Sequence, residues 1–389
     1  MKKLIVITSR YPFPLDKGDK LRAFHQIKHL AKEREIHLIS LTTKNVSKRE
    51  LEKLEIHCAS VSVFKLNKIQ IIWNLFLAIF SQKPFQVAYF YSNNIHQKIK
   101  KLIRKIEPDH IYCQLIRCAE YVKDEYDIRK TLDYMDVLSK GVERRIITSP
   151  FYLKKILSVE SERLKIYESV LYEYFDFHSI ISFQDQELIY HTKRNNIEII
   201  PNGIDSEYFT PDINFTKEYT LLFNGNMQYQ PNVNSAIYIV KEILPLVHKI
   251  NPNVNLLISG TSPTKEVLHL QSNKVKVLGW VDDIRDAYNS ANIFIAPMQI
   301  GTGLQNKLLE AMAMKMPCIT SKLANNALNA IPDKQILIGN SKEEYAESIL
   351  KLIEDKSLNN SIAEEGQAYV NSTFNWINST KKLAQKMES

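Results

Sequence analysis

Lys307 and Glu310 stand three residues apart in the stretch 293–321, IFIAPMQIGTGLQNKLLEAMAMKMPCITS. Side chains three and four apart share a helix face. A helix here therefore sets Gly303, Lys307 and Glu310 on one side. An ammonium in that position adds charge to a bound phosphate. Glu310 lies about two turns in, roughly 9–10 Å along the axis at ~1.5 Å per residue, and leans back toward the N-terminus. Its carboxylate then falls about one sugar ring from the phosphate, where it can accept from two ribose hydroxyls. The plain alternative is an amphipathic helix with a solvated Lys and Glu.

The elements that must position this pair are readable around it. Ile293 to Ala296 is a short apolar run, the signature of a buried strand. Pro297 ends it, and Gly301-Thr302-Gly303 makes a loop. Leu304 to Met314 contains good helix formers and no Gly or Pro, with Leu304, Leu308, Ala311 and Met312 as its apolar stripe. Pro317 closes it, and Cys318-Ile319-Thr320 reads as the next strand. A strand–glycine loop–helix–strand unit has a bend where backbone comes close to a ligand and the first helical amides point outward, which is an anion site.

The chain has 389 residues, more than one ordinary core accommodates, so two domains are expected. A formal charge of +8 suits an acidic partner, such as a nucleotide or an anionic lipid surface. No nucleic-acid-binding signature appears. Cys58, Cys113, Cys118 and Cys318 form no CxxC pair, and reduced thiols agree with a cytoplasmic protein. No Asp-x-Asp occurs, and His25 and His29 lack an HExxH context, so no metal is expected. No signal peptide is read at Met1-Lys2-Lys3, and the apolar window Ile69–Phe80 is too short to span a bilayer.

Taken in order, Lys3–Ser9 is a strand, RYPFPLDKGD a loop, Lys20–Glu33 an amphipathic helix and Glu35–Thr42 a strand. This is the first unit of a doubly wound parallel sheet, with Gly18 at the ligand-facing end. Ile69–Phe80 reads as a buried or interfacial helix. The aromatics Phe85, Tyr89, Phe90 and Tyr91, the basic run Lys98–Lys105, and Arg144-Arg145 with Phe151, Tyr152, Lys154 and Lys155 are of the kind that rests on an anionic membrane; the plain reading is a core helix with solvated lysines. Strands are expected at His110–Gln114 and Lys130–Leu132. Asp133, Asp136, Ser139 and Lys140 follow the second, again at a ligand-facing end, although Asp133 and Asp136 also fit as helix caps. Ile197–Asp205 runs from a strand into a Pro-Asn-Gly turn. The domain boundary is placed after it, in polar residues 206–218. A second βα series follows: strand Tyr219–Asn224, helix Ser235–His248, strands Val254–Ser259 and Val275–Leu278, helix Ile284–Ala291, and a last helix over Asn375–Ser389.

The chain resembles family 4 glycosyltransferases of the GT-B fold, and the subgroup linked to bacterial exopolysaccharide loci. The resemblance rests on RYPFPLDKGDKLRAFHQIKHLA, LDYMDVLSK, IIPNGID, FNGNMQYQPNVNSA, VLGWVDDIRDAY, ANIFIAPMQIGTGLQNKLLEAMAMKMPCITS and the late FNW. It implies an α/β protein of two Rossmann-like domains, 1–205 and 206–372, facing a cleft, with 373–389 crossing back to the first. It implies a retaining, metal-independent hexosyltransferase without a separate cofactor. A UDP- or GDP-linked sugar would pass to a hydroxyl of a glycan or lipid-linked acceptor, in the cytoplasm or peripherally on the membrane. By the resemblance, Glu310 takes the ribose hydroxyls, while Gly303, Leu304, Gln305 and Lys307 take the pyrophosphate beside Gly301 and Thr302. Gly279, Trp280, Val281 and Asp282 line the base pocket, and Gly18 closes on the diphosphate. Asp136 is read as a base or acceptor ligand, with Asp19, Lys20, Arg22, Asp133 and Ser139 on the acceptor side.

Two positions depart from the family pattern. Thr302 stands where a second Glu is usual, and Gly225-Asn226 where Gly-Arg is usual, with no Lys before Lys241. The missing cations leave more weight on Lys307, with Arg10, Lys20 or Arg22 as candidates to compensate. These departures keep a non-catalytic nucleotide-sugar-binding protein in view, alongside a nucleotide-sugar epimerase on the same fold.

Overall fold

The computed structural model describes residues 1–300 and 303–388, apart from the side chain of Thr148. The chain divides into two compact units. The first comprises Met1–Pro201 and the chain from Trp376 onward, and the second Asn202–Asn375. The division falls at Pro201/Asn202 and Asn375/Trp376, not at 205/206 and 372/373. The reason is local: the Ile204 amide donates to the Phe374 carbonyl (2.8 Å), and Ile204 bridges Asn375 in parallel.

Unit 1 holds seven parallel strands: β1 (Lys2–Thr8), β2 (Arg34–Thr42), β3 (Ser60–Lys65), β4 (His110–Gln114), β5 (Arg129–Met135), β6 (Phe177–Ile180) and β7 (Glu198–Ile199). Their order is β3-β2-β1-β4-β5-β6-β7. The apolar run of β1 packs on both faces, as a parallel strand must. Ile5 and Ile7 enter one core cluster, and Leu4 and Val6 enter another. Truncating Leu4, Ile5 or Ile7 to Ala should remove about 2–5 kcal/mol. The last helix, Trp376–Lys386, belongs to the second of these clusters through Leu383 and Ala384. Trp376 stacks on His25 (centroids 4.9 Å apart), and Lys382 and Lys386 bracket Glu198 (2.6 and 2.9 Å).

Unit 2 holds six parallel strands: β8 (Tyr219–Asn224), β9 (Leu256–Ser259), β10 (Val275–Leu278), β11 (Ala291–Ala296), β12 (Cys318–Thr320) and β13 (Leu337–Ile338), in the order β10-β9-β8-β11-β12-β13. Both sheets reverse direction beside their first strand, between β1 and β4 and between β8 and β11. In such doubly wound sheets, ligands bind beyond the carboxyl ends at that switch point.

Several elements differ from the sequence reading. The helix expected over Ser235–His248 starts at Gln230, because Pro231 fits a first-turn position, and it passes through a π-helical turn, Ile239–Ile243, before Leu244–Ile250. The strand expected to lead from Ile197 into the Pro-Asn-Gly turn is only Glu198–Ile199. β3 (Ser60–Lys65) went unread as a strand.

Candidate functional site

At the switch point of unit 2, three strands end in glycines whose backbones crowd one another. Gly225, after β8, has φ +151° and donates to the Ser259 carbonyl (3.1 Å). Gly260, after β9, has φ +139° and donates to the Gly279 carbonyl (3.1 Å). A Cβ on Gly260 would lie 1.8 Å from the Gly225 carbonyl oxygen, and one on Gly225 would lie 2.6 Å from Asn232 Nδ2 and 3.2 Å from Lys307 Nζ. Only glycine fits at either place. The bare backbone edge is thus set directly against the Lys307 ammonium.

Lys307 and Glu310 lie on the helix Asn306–Ala313, which follows β11. Lys307 Nζ donates to Asn232 Oδ1 (2.5 Å) and lies 3.8 Å from Met298 Sδ and 4.9 Å from the Phe223 ring centroid. Burial draws its pKa down to about 7, against the pull of Glu310. Glu310 Oε2 accepts from the hydroxyl of Tyr288 (2.7 Å), which is buried on the helix Ile284–Asn289. Burial pushes the Glu310 carboxyl up to about 7, while the Tyr288 hydrogen bond and Lys307 hold it down. Both side chains keep part of their surface open to solvent. Burial thus disfavours the charged form of both groups, and a ligand that pairs with either charge favours it again.

The helix begins at Asn306, later than the expected Leu304. Gln305 is extended (φ −90°, ψ 101°), and its side chain folds back onto the Gly303 carbonyl (2.9 Å). Gly303 and Leu304 therefore precede the helix, and the outward amides are those of Asn306 and Lys307. Gln305 caps them with no side-chain hydrogen bond. Gly301 and Thr302 lie outside the described residues. Asn226 is turned to its own backbone: its Oδ1 accepts from the Gln228 amide (3.0 Å) and its carbonyl from Asn232 Nδ2 (2.9 Å), so its side chain stabilises the turn. Gly279 and Val281 are half-buried after β10, while Asp282 and Trp280 are exposed, leaving the indole face free.

Unit 1 separates the acceptor-side candidates into two groups. Arg22 and Asp133 are both fully buried. Asp133 receives Arg22 Nε (2.6 Å) and Nη2 (3.1 Å), the Tyr112 hydroxyl (2.7 Å) and the Ser179 hydroxyl (2.9 Å), and Arg22 Nη1 reaches the Ile200 carbonyl (2.8 Å). Ser139 is likewise buried, its amide and hydroxyl both given to Glu168 (3.0 and 2.5 Å). These three are structural, which corrects their assignment to the acceptor. The spacing could not show it, because their partners come from distant elements.

Asp136 is the open member of the edge. Its side chain is exposed. Withdrawal from bulk water pushes its pKa up to about 6; Asp185 and Asp19 push the same way, against Arg117 and Arg144. The backbone beneath it is strained. Met135 has φ +64°, and the Asp136 amide turns back across it to the Tyr134 carbonyl (2.8 Å). Leu115, after β4, has φ +67° and ψ 142°. Such conformations cost of order 1–3 kcal/mol each and cluster at functional sites. Asp19 receives Arg10 Nη1 (2.7 Å), and its carbonyl receives Gln114 Nε2 (3.0 Å). Lys20 pairs with Asp16 (2.8 Å). Gly18 opens the helix Gly18–Leu30, and the cap residue Lys17 makes no side-chain cap hydrogen bond. All three candidate compensating cations, Arg10, Lys20 and Arg22, thus have carboxylate partners in their own unit.

Four contributors were not assigned a role from the sequence: Asn232, Tyr288, Arg117 and the strained Leu115. Asn232 lies in the quoted FNGNMQYQPNVNSA stretch, which was the available signal. Tyr288 likewise ends the quoted VLGWVDDIRDAY stretch, whereas Arg117 carries no local mark, since packing alone brings it in.

Comparison with known proteins bears on the family resemblance and the fold. Residues 218–355, which carry the glycine edge, Tyr288, Lys307 and Glu310, match the family described as glycosyl transferases group 1. A Klebsiella pneumoniae protein described as an uncharacterized 44.6 kDa protein in the cps region is 22% identical over 397 residues, covering 96% of this chain and 97% of its own. The Staphylococcus aureus capsular polysaccharide biosynthesis glycosyltransferase CapM is 28% identical over 216 residues, 51% of this chain and 55% of its own. The crystal structure of Anabaena HepE in complex with UDP and glucose superposes with a TM-score of 0.71 at 14% identity, covering 100% of both chains. Part of the second unit thus matches the glycosyl transferases group 1 family, the fold is GT-B, and the resemblance to glycosyltransferases of bacterial exopolysaccharide loci is borne out.

Proposed function

We propose that the protein transfers a hexosyl group from a nucleotide-sugar donor, UDP- or GDP-linked, to a hydroxyl of a glycan or lipid-linked acceptor in surface polysaccharide synthesis. The observation that carries this reading is the Lys307–Glu310 pair, tuned toward neutrality beside a bare glycine edge at the switch point of unit 2. Glu310, steadied by Tyr288, accepts the ribose hydroxyls. Lys307 and the amides of Asn306 and Lys307 take the diphosphate. Trp280 offers a face on which a base can stack.

Transfer breaks the bond between the sugar C1 and the diphosphate oxygen and joins C1 to the acceptor oxygen, which loses its proton. Charge then grows on the leaving diphosphate, and preorganised donors there lower the barrier. Lys307 and the helix amides supply that charge from the protein, which supports a metal-independent reaction. Asp136, with its raised pKa, is the proposed acceptor ligand or base. Retention of anomeric configuration is carried over from the family resemblance. UDP in the HepE complex makes UDP the first nucleotide to test. The exposed aromatics and lysines of unit 1 support work at the inner face of the cytoplasmic membrane.

The test is turnover of UDP- and GDP-hexoses with glycan and lipid-linked acceptors in the presence of EDTA, with the product anomer read by NMR. Transfer with retention supports the proposal. An inverted product or an absolute metal requirement contradicts the finer reading. Interconversion of the free donors without an acceptor would favour the epimerase.

A further inference from the structure

The helix Lys68–Ile79 is apolar on two sides. Ile71 and Ala78 are buried and Leu75 packs on the unit 1 core, with half-buried Gln70 and Asn74 bonded beside them. Gln70 Oε1 accepts from the Ser92 hydroxyl (2.9 Å), and Asn74 Nδ2 donates to the carbonyls of Ala88 (3.2 Å) and Tyr91 (2.7 Å). Its outward face is apolar. Ile69, Ile72, Trp73, Phe76 and Phe80 recur at helical spacing, and Trp73 is 59% and Phe80 76% exposed. Trp73 stacks on Phe76 (5.8 Å), and Phe76 meets Phe80 edge-on (5.5 Å). An ordered aromatic ridge held out in water marks an interaction surface.

A second helix extends the ridge. Within Phe151–Leu171, Arg163 clamps the end of the first helix through the carbonyls of Ala78 (2.7 Å) and Ile79 (3.3 Å), and Glu160 accepts from the amides of Phe85 and Gln86 (2.6 and 3.0 Å). The turns before the clamp expose Phe151, Tyr152 and Ile156, interleaved with exposed Lys154 and Lys155.

Charge decides the occupant. From Ile56 to Ile106, and again from Arg144 to Val159, the sequence has Lys and Arg but no Asp or Glu. A second copy would bring like charges together, whereas an anionic lipid surface complements them. Among the described residues, no helix is long and apolar enough to cross a membrane. An apolar face rimmed by lysines lies in the headgroup plane.

We propose that the outward face of Lys68–Ile79, with Phe80 and the Phe151–Ile156 turns, docks this protein on an anionic bilayer. The inference rests on the peripheral reading above and names the element that carries it. The test is sedimentation with phosphatidylglycerol–phosphatidylcholine vesicles, with phosphatidylcholine vesicles as control. The protein should bind the anionic vesicles at low salt and dissociate at high salt. Trp73→Ser/Phe76→Ser/Phe80→Ser should weaken binding by at least about tenfold while leaving the unfolding midpoint and nucleotide binding intact. Lys154→Ala/Lys155→Ala should weaken it about fivefold or more. Glu310→Ala should bind vesicles normally while losing nucleotide, which separates this proposal from the donor assignment. Wild-type capture unchanged in the triple variant overturns the proposal, as does no sedimentation at low salt. So does a dimer that the triple variant abolishes without any vesicle binding.

Discussion

At the carboxyl edge of unit 1, Arg22 and Asp133 are fully buried, bonded to each other and to Tyr112, Ser179 and a main-chain carbonyl. At the matching edge of unit 2, Lys307 and Glu310 are half-buried and not bonded to each other; each is held by a neutral partner, Asn232 or Tyr288. The strand order is the same, and both pairs sit near a switch point. A charge pair closed on itself holds a fold together. Charges held apart by neutral groups keep their capacity for a ligand. The difference teaches that an acidic or basic residue at the end of a strand is not a site until its partners are known.

The comparison can be broken by substitution. Asp133→Ala leaves the Arg22 guanidinium buried without its carboxylate, and chemical denaturation should show a loss of about 3–5 kcal/mol. Lys307→Met should lower turnover by about a hundredfold or more. Its unfolding midpoint should stay level or rise, because a desolvated ammonium has been removed. If Lys307→Met unfolds the protein and Asp133→Ala does not, the contrast between the two edges is wrong. Gly225→Ala comes next. It strains a backbone at φ +151° and pushes Asn232 toward Lys307, so calorimetry should show donor affinity weakened roughly tenfold.

The smallest effect sharpens the comparison through pH. Glu310 has its pKa raised to about 7, so the folded state holds a proton that the unfolded chain has released. Stability from this group is present at low pH and is lost as pH rises from about 4.5 to about 7. Lys307, lowered to about 7, acts in the other direction: its contribution is present at high pH and lost as pH falls from about 10.5 toward 7. Donor binding needs Glu310 ionised and Lys307 charged, so affinity should peak near neutrality. In Glu310→Gln the acid limb should flatten while the alkaline limb remains. An unchanged acid limb would assign it to another group.

Much of this was legible because it is local. The apolar runs of β1 and β11 give parallel strands, the alternation of loops and helices gives two sheets, and the spacing of Lys307 and Glu310 gives their shared face. What was missed is tertiary. Asp133 and Asp136 look equivalent in DYMD, but the strained turn at Met135 sends Asp136 outward while Asp133 stays in the strand, bonded to Arg22 of a helix more than a hundred residues earlier. Tyr288 reaches Glu310 only because the Ile284–Asn289 helix packs beside β11. The late start of the Asn306–Ala313 helix follows from Gln305 folding back on Gly303, which helix propensity alone does not foresee. Ile69–Phe80 read only as a buried or interfacial helix; which apolar side faces out depends on Ile71, Leu75 and Ala78 packing inward.

The central claim is that the edge of unit 2 holds the nucleotide through Glu310. The most direct test is a thermal-shift titration with UDP, GDP and their hexose conjugates on the wild type and on Glu310→Ala. A ligand bound only by the folded state raises its midpoint, by about 2.7 kcal/mol of stability at a hundredfold excess over Kd. The account predicts a shift with one nucleotide that Glu310→Ala abolishes. An equal shift in both proteins would contradict it.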